Sequence, residues 1–170
     1  MIIETPAIAE TKNNWLYAQV DVEFPTKESL AGRALYQSQV EHKQYQELNI
    51  EALSSSNDLF AAEDVFIVDF HRLTVMFSIL FAKQWQSDEE QQLIIEFLTQ
   101  IIYSEPCELY VGFQNEELVA TAILTRDKGQ LLVSDIATLN KVSDSKMSFV
   151  KAVLAKQTGL QDNSDIYLEI

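Results

Sequence analysis

Between residues 106 and 138 the chain alternates with a period of two and reverses twice within a few residues. "CELYVGF" sets Leu109, Val111 and Phe113 on one side of an extended run. "QNEE" breaks that run, "LVATAILT" returns, "RDKG" breaks the chain again, and "QLLVSDIAT" supplies a third run. Alternation punctuated by short polar turns specifies an antiparallel meander of three strands. "NKVSDSKMSFVKAVLAKQ" then reads as a short loop entering an amphipathic helix, with Gly159 as its C′ residue. "DIYLEI" reads as a last short strand.

The preceding part is less regular. "NWLYAQVDVEF" places Ala18, Val20, Val22 and Phe24 on one side of a half-buried strand that Pro25 ends. Thr26 caps a helix running through "KESLAGRALYQSQVEHKQYQEL". The serine-rich "NIEALSSSNDLFAAED" reads as a surface loop, and residues 65 to 85 read as a buried apolar helix interrupted by Asp69, His71 and Arg72. Ser87 and Glu90 have capping-box spacing ahead of Ile94, Phe97, Leu98 and Ile101 at helical intervals, and "EPC" stops that helix. The implied fold is α/β (α+β), a mixed, largely antiparallel sheet with helices on both faces. It forms one domain over 1–170, with an N-terminal strand and helices at 15–105 and the meander, helix and final strand at 106–170.

Composition narrows function. The chain has 170 residues, with 26 Asp and Glu against 12 Lys and Arg, for a net charge of -14. Such a surface repels nucleic acid and anionic lipid, so neither is an expected partner. The most apolar stretch is broken too early to span a bilayer, and "MIIETPAIAE" lacks the basic start and apolar run of a secretion signal. Cys107, the single cysteine, forms no internal disulfide and fits a reducing, cytoplasmic setting, where a packed thiol is its simplest role. His42 and His71 stand apart from any ligand cluster, so no metal is expected.

The order of meander, loop, helix and "IYLEI" resembles the Gcn5-related N-acetyltransferase superfamily. In that family the third meander strand leads into a loop reading Gln or Arg, two variable residues, Gly, one variable residue, then Gly or Ala. Backbone amides of the loop hold the pyrophosphate of acetyl-CoA. Laid on "SDSKMS", the pattern puts Ser143 at the Gln/Arg position, Lys146 at the first glycine and Ser148 at the last small residue, with Asp144 adding a negative charge. The resemblance implies an acyl-CoA cofactor, acetyl-CoA or another, held by Thr138, Ser143, Asp144, Ser145, Lys146, Met147 and Ser148. Lys141, Lys146, Lys151 and Lys156 make this segment locally basic, which suits a phosphorylated ligand. The same residues also suit a plain capped helix with a solvated lysine face.

Acyl transfer needs a base for the amine, a donor for the oxyanion and an acid for the leaving thiolate. The resemblance implies Asp135 on the third strand, or Glu117 opening the second, as the base, and a backbone N–H near Ile136 or Thr138 as the donor. The residue-level alternative makes Asp135 a strand residue satisfied by backbone or water. The family's tyrosine-bearing helix and hairpin have no counterpart before Ile170, and Tyr167 is no substitute. Two expectations follow: an acyl-CoA-dependent N-acetyltransferase-like protein with weakened or lost catalysis, or a non-catalytic dimeric module on the same scaffold. "DIYLEI" would then be an edge strand, implying a homodimer through Asp165–Ile170.

Overall fold

The computed structural model describes residues 1–139, 143–157, 160 and 165–170. The meander forms as its alternation requires: β4 (Cys107–Gln114), β5 (Glu117–Asp127) and β6 (Gln130–Thr138), antiparallel throughout. Both connections are two-residue turns. Asn115 and Glu116 sit at φ 50° and 65°, and Lys128 and Gly129 at 49° and 80°. Paired left-handed residues give the turn a twist that matches the flanking strands, which is why so few residues suffice.

The helix α6 (Ser143–Ala155) crosses over and delivers β7 (Asp165–Glu169) parallel to β6. Among the described residues the sheet has seven strands in the order β1-β2-β7-β6-β5-β4-β3, where β1 is Ile2–Ile3, β2 is Tyr45–Glu47 and β3 is Val65–Ile67. It is a mixed sheet with one parallel pair. β7 is therefore interior, with Tyr45 opposite Glu169 and Glu47 opposite Tyr167. The expected Asp165–Ile170 edge is corrected on this point: β2 already satisfies its outer backbone groups, and Ile170 exchanges backbone hydrogen bonds with Gln44 at 2.7 and 3.0 Å.

Helices cover both faces. On one lie α1 (Ala7–Tyr17), α2 (Lys27–Val40), α4 (His71–Ala82) and α5 (Asp88–Leu98), whose Leu16, Tyr36, Phe77, Phe81, Ile94 and Phe97 join Leu109, Val111 and Ile123 of the sheet in one core. On the other, Phe149, Val150, Val153 and Leu154 of α6 pack on Tyr110, Ala122, Leu124 and Val133. Local signals place the helix starts. Thr26 accepts from Ser29 N at 3.1 Å, and Ser87 Oγ accepts from Glu90 N and donates to Glu90 Oε1, each at 3.1 Å. Gly32 lets α2 approach α5 closely: a Cβ there would meet the Leu93 carbonyl oxygen at 1.9 Å.

Three further expectations are corrected. The alternation from Asn14 to Phe24 is not a strand: α1 continues through Tyr17 into a 3-10 turn, Ala18–Val20. Ile8, Lys12, Leu16 and Val20 are all buried, a four-residue spacing that outweighs the two-residue one, while Val22 and Phe24 are exposed. The helix after Thr26 stops at Val40, because Tyr45–Glu47 is captured by β7 as β2. Val65–Ile67 of the expected apolar helix instead pairs with β4, and helix begins at His71 with Asp69, His71 and Arg72 exposed. The serine-rich stretch contains only a short helix, α3 (Ile50–Leu53), and a 3-10 turn, Ala62–Asp64. Among the described residues no helix is long and apolar enough to cross a membrane.

Candidate functional site

The sheet is interrupted at Asp135. Thr121 lies opposite Ala137 and Ile123 opposite Ser134, so Asp135 and Ile136 together face Ala122. This is a β-bulge, and Asp135 takes the left-handed conformation at φ 54° that it requires. Aspartate tolerates this region better than a β-branched residue. The parallel ladder ends at the same level: β6 and β7 pair from Gln130 opposite Asp165 to Val133 opposite Leu168. Beyond it, the Asp135 N–H is taken by the Glu169 side chain at 3.1 Å.

A charged cluster fills the interruption. Lys12 is fully buried, and its Nζ lies 2.9 Å from Asp135 Oδ2 and 3.6 Å from Glu169 Oε2. It also donates to the Tyr36 hydroxyl at 2.6 Å, and that hydroxyl in turn donates to Asp135 Oδ1. Ser134 Oγ donates to Asp135 Oδ2 at 2.6 Å, and the Tyr45 hydroxyl to Glu169 Oε2 at 3.1 Å. Asp135 and Glu169 are 4% and 5% exposed. Buried charges persist only when paired and hydrogen-bonded, and here α1, α2, β2, β6 and β7 each contribute a group.

The electrostatics fix the protonation states. Burial pushes the Asp135 carboxyl up, but the Lys12 charge and the hydrogen bonds from Ser134, Tyr36 and Lys12 hold it below its ordinary value. Burial pushes Lys12 down, and Asp135 with Glu169 more than reverses this, leaving its ammonium above the usual value. Tyr36 is raised well above a normal phenol by burial and by the two carboxylates. Lys12 and Asp135 thus form an ion pair, with the surrounding polar hydrogens aimed inward. Both Asp135 oxygens are occupied, and a carboxylate so stabilised is a poor proton acceptor.

The expected site residues separate into three groups. Asp135 belongs to the buried cluster. Glu117 is exposed at the β4–β5 turn, five positions along β5 from the bulge and so about 16 Å away by strand rise. Thr138, Ser145 and Lys146 converge on two cavities at the end of β6. The larger, about 540 Å³, is lined by Leu80, Lys83, Gln84, Ile136–Leu139 and Lys146. The smaller, about 230 Å³, is lined by Phe60, Gln114, Val119, Thr138, Leu139 and Ser145. Met147 packs into the α6 core, and Ser148 is buried and donates to the Asn57 carbonyl. Lys141 and Gly159 lie outside the described residues, as do the side chains of Ser143 and Asp144. Tyr167 is half-buried, with its hydroxyl 3.5 Å from Gln130 Nε2.

Sequence reasoning missed Lys12, Tyr36, Tyr45 and Glu169. One signal was present: a lysine centred on the apolar stripe Ile8, Leu16, Val20 marks a position where burial demands an anionic partner. Cys107 is a packed thiol, 3.2 Å from Thr125 Oγ1 and pushed up to about 12 by burial. Among the described residues no group of His, Cys, Asp and Glu is arranged to hold a metal ion.

Fold and site together define an α+β scaffold whose central sheet is interrupted at the Asp135 bulge and stapled there by buried ions. No family model matches the chain, and no curated protein does. Sixteen chains of known structure match. One is a functionally unknown conserved protein from Staphylococcus epidermidis ATCC 12228, with 13% identity and a TM-score of 0.51 over 80% of this chain and 55% of that one. The chain thus spans about half the length of that protein. The likeness is one of fold.

Proposed function

We propose that the protein is an acyl-CoA-binding relative of the N-acetyltransferases in which Asp135 has passed from chemistry to architecture. One observation carries the reading. The β6–β7 ladder stops at Val133, and the strand beyond the bulge, Ile136–Leu139, borders a cavity that the start of α6 also lines. The groups present fit such a ligand: an extended amide-bearing arm suits a strand, and Lys146 at the first turn of α6 suits a phosphate. When bound, the cofactor would supply an activated thioester. Asp135 would take no proton in this protein, since Lys12, Tyr36 and Ser134 occupy its oxygens. The free, buried thiol of Cys107 favours a reducing, cytoplasmic location.

Thermal unfolding with acetyl-CoA tests this directly. Stabilisation of about 2.7 kcal/mol at a hundredfold excess over the dissociation constant is expected; no shift at millimolar ligand removes the reading. The saturated ion cluster favours a second reading, a non-catalytic module on the same scaffold. Release of free thiol from acetyl-CoA with a panel of amines separates the two. Turnover that survives Asp135→Asn would place the base elsewhere.

A further inference from the structure

The sheet ends at β3, whose one strand neighbour among the described residues is β4. Val68 N–H donates to the Leu109 carbonyl at 2.8 Å, so Phe66 and Val68 turn their backbone groups towards β4. Val65 and Ile67, by alternation, turn theirs outward. The Val65 N–H closes the preceding 3-10 turn on the Ala62 carbonyl. The Val65 carbonyl and both backbone polar groups of Ile67 therefore face away from the sheet, as a template for a further strand. Apolar side chains line the same edge: Phe66, Ile67 and Phe70 are 46%, 43% and 51% exposed. Past the end of β3 the edge runs into a cavity of about 400 Å³, lined by Ile67, Val68 and Pro106 together with Glu105, Glu108 and Arg126. Acids dominate this border. Glu63 and Asp64 precede β3, Asp69 follows it, and Glu105 and Glu108 line the cavity, against Arg72 at the start of α4 and Arg126.

We propose that β3 is a docking edge for an extended peptide segment of another protein, apolar in its middle and basic at its ends, added to the sheet as a further antiparallel strand. The acids decide between occupants. The two-fold register that pairs the whole of β3 with a second copy sets Val65 opposite Ile67 and Phe66 opposite itself. It brings the Glu63–Asp64 turn of each copy against Asp69 of the other, and like charges placed opposite one another oppose pairing. Two chains of net charge -14 also repel at long range. A strand with a cation at each end meets carboxylates at both instead. Antiparallel pairing lets one peptide residue exchange both backbone hydrogen bonds with Ile67. A lysine or arginine just past that residue reaches Glu105 and Glu108 in the cavity. The edge lies three strands from β6, so peptide docking does not depend on acyl-CoA binding.

The probe is the peptide acetyl-Lys-Thr-Val-Tyr-Val-Thr-Lys-amide, titrated into the full chain at low ionic strength with backbone amide resonances as the readout. Saturable binding is expected, with the largest shifts at residues 65–68 and weakening as salt is added. Methylating the backbone nitrogen of the first valine, which would lie opposite Ile67, keeps every side chain and removes one hydrogen bond to the sheet. Binding should then weaken about tenfold. Replacing both lysines of the peptide by glutamate should abolish binding to the native chain. Glu63→Lys together with Asp69→Lys, both at exposed positions, should restore part of it. No saturation at millimolar peptide, equal binding of the methylated or the glutamate peptide, or shifts confined to other strands would overturn the docking edge. So would a dimer at micromolar concentration that Phe66→Lys dissolves in sedimentation, since a second copy would then hold β3.

Discussion

Replacing Lys12 by methionine keeps the length of the side chain and removes its charge. Nothing else in the cluster is a cation, so Asp135 and Glu169 would be left facing one another's surroundings with only hydroxyl and amide donors. Removing one partner of a buried ion pair costs about 3–5 kcal/mol. Each kcal/mol lowers the Tm of a domain this size by about 2–4 °C, so a fall of roughly 6–20 °C is expected. Urea unfolding at pH 7 would read this as a lower midpoint at constant slope. Restoring neutrality with Asp135→Asn and Glu169→Gln in the Lys12→Met background should recover a large part of the loss, because apolar or neutral replacements of whole buried ion clusters are often tolerated.

The pH dependence gives a second handle. In the unaltered protein the folded-state pKa of Asp135 lies below its ordinary 3.8. Its contribution is therefore complete above that value and lost as pH falls through the folded pKa. Lys12 is shifted above 10.5, so its contribution is complete below that value and lost as pH rises through the folded pKa. In Lys12→Met, burial acts on Asp135 without the offsetting cation and its carboxyl pKa rises. The variant should then regain stability relative to neutral pH as acid protonates it. A loss under about 1 kcal/mol, or a stability difference that does not narrow between neutral pH and the carboxylate range, would refute the account of the cluster as an ionised staple.

Other substitutions test the surrounding frame. Gly32→Ala should destabilise by about 2 kcal/mol or more despite alanine's better helix propensity, because the obstructing atom at 1.9 Å is the backbone oxygen of Leu93; chemical denaturation measures it. Ser87→Ala removes the α5 N-cap and should cost about 1 kcal/mol by the same assay. Glu116→Gly relieves a non-glycine residue at φ 65° and should stabilise the β4–β5 turn by a few tenths to about 1 kcal/mol. Native Cys107, 4% exposed and shifted up to about 12, should resist alkylation at pH 8 until the protein is unfolded.

Legibility in the sequence followed the range of the forces involved. The meander, both of its turns, the Thr26 and Ser87 caps and the final strand are written in neighbouring residues, and they form as read. The short strands β1, β2 and β3 are not local objects: Tyr45–Glu47 is extended because β7 lies beside it, and Val65–Ile67 because β4 does. Propensity yields to tertiary pairing in such segments. At the site, Thr138, Ser145 and Lys146 were found together because one strand–loop–helix unit carries them. Lys12, Tyr36, Asp135 and Glu169 come from four distant positions, and only the folded sheet reveals that they neutralise each other. The same distance explains why the strand alone offered Asp135 only backbone or water as partners, while the fold supplies Lys12, Tyr36 and Ser134.

The placement of β7 between β6 and β2 bears on assembly. A growing polypeptide can complete the β4–β6 ribbon from adjacent segments, but Tyr45–Glu47, paired on its other side only with Ile2–Ile3, cannot join that ribbon until residues 165 to 169 arrive. Until then Lys12 has one of its two anions missing, and the pieces carrying it remain tethered without being locked. Long-range closure of this kind slows folding and lengthens the exposure of sticky intermediates. Formation of the 45–169 contact is accordingly the step at which a loose collection of helices and a ribbon becomes one cooperative body, and hydrogen exchange pulsed during refolding should show those strands protected last.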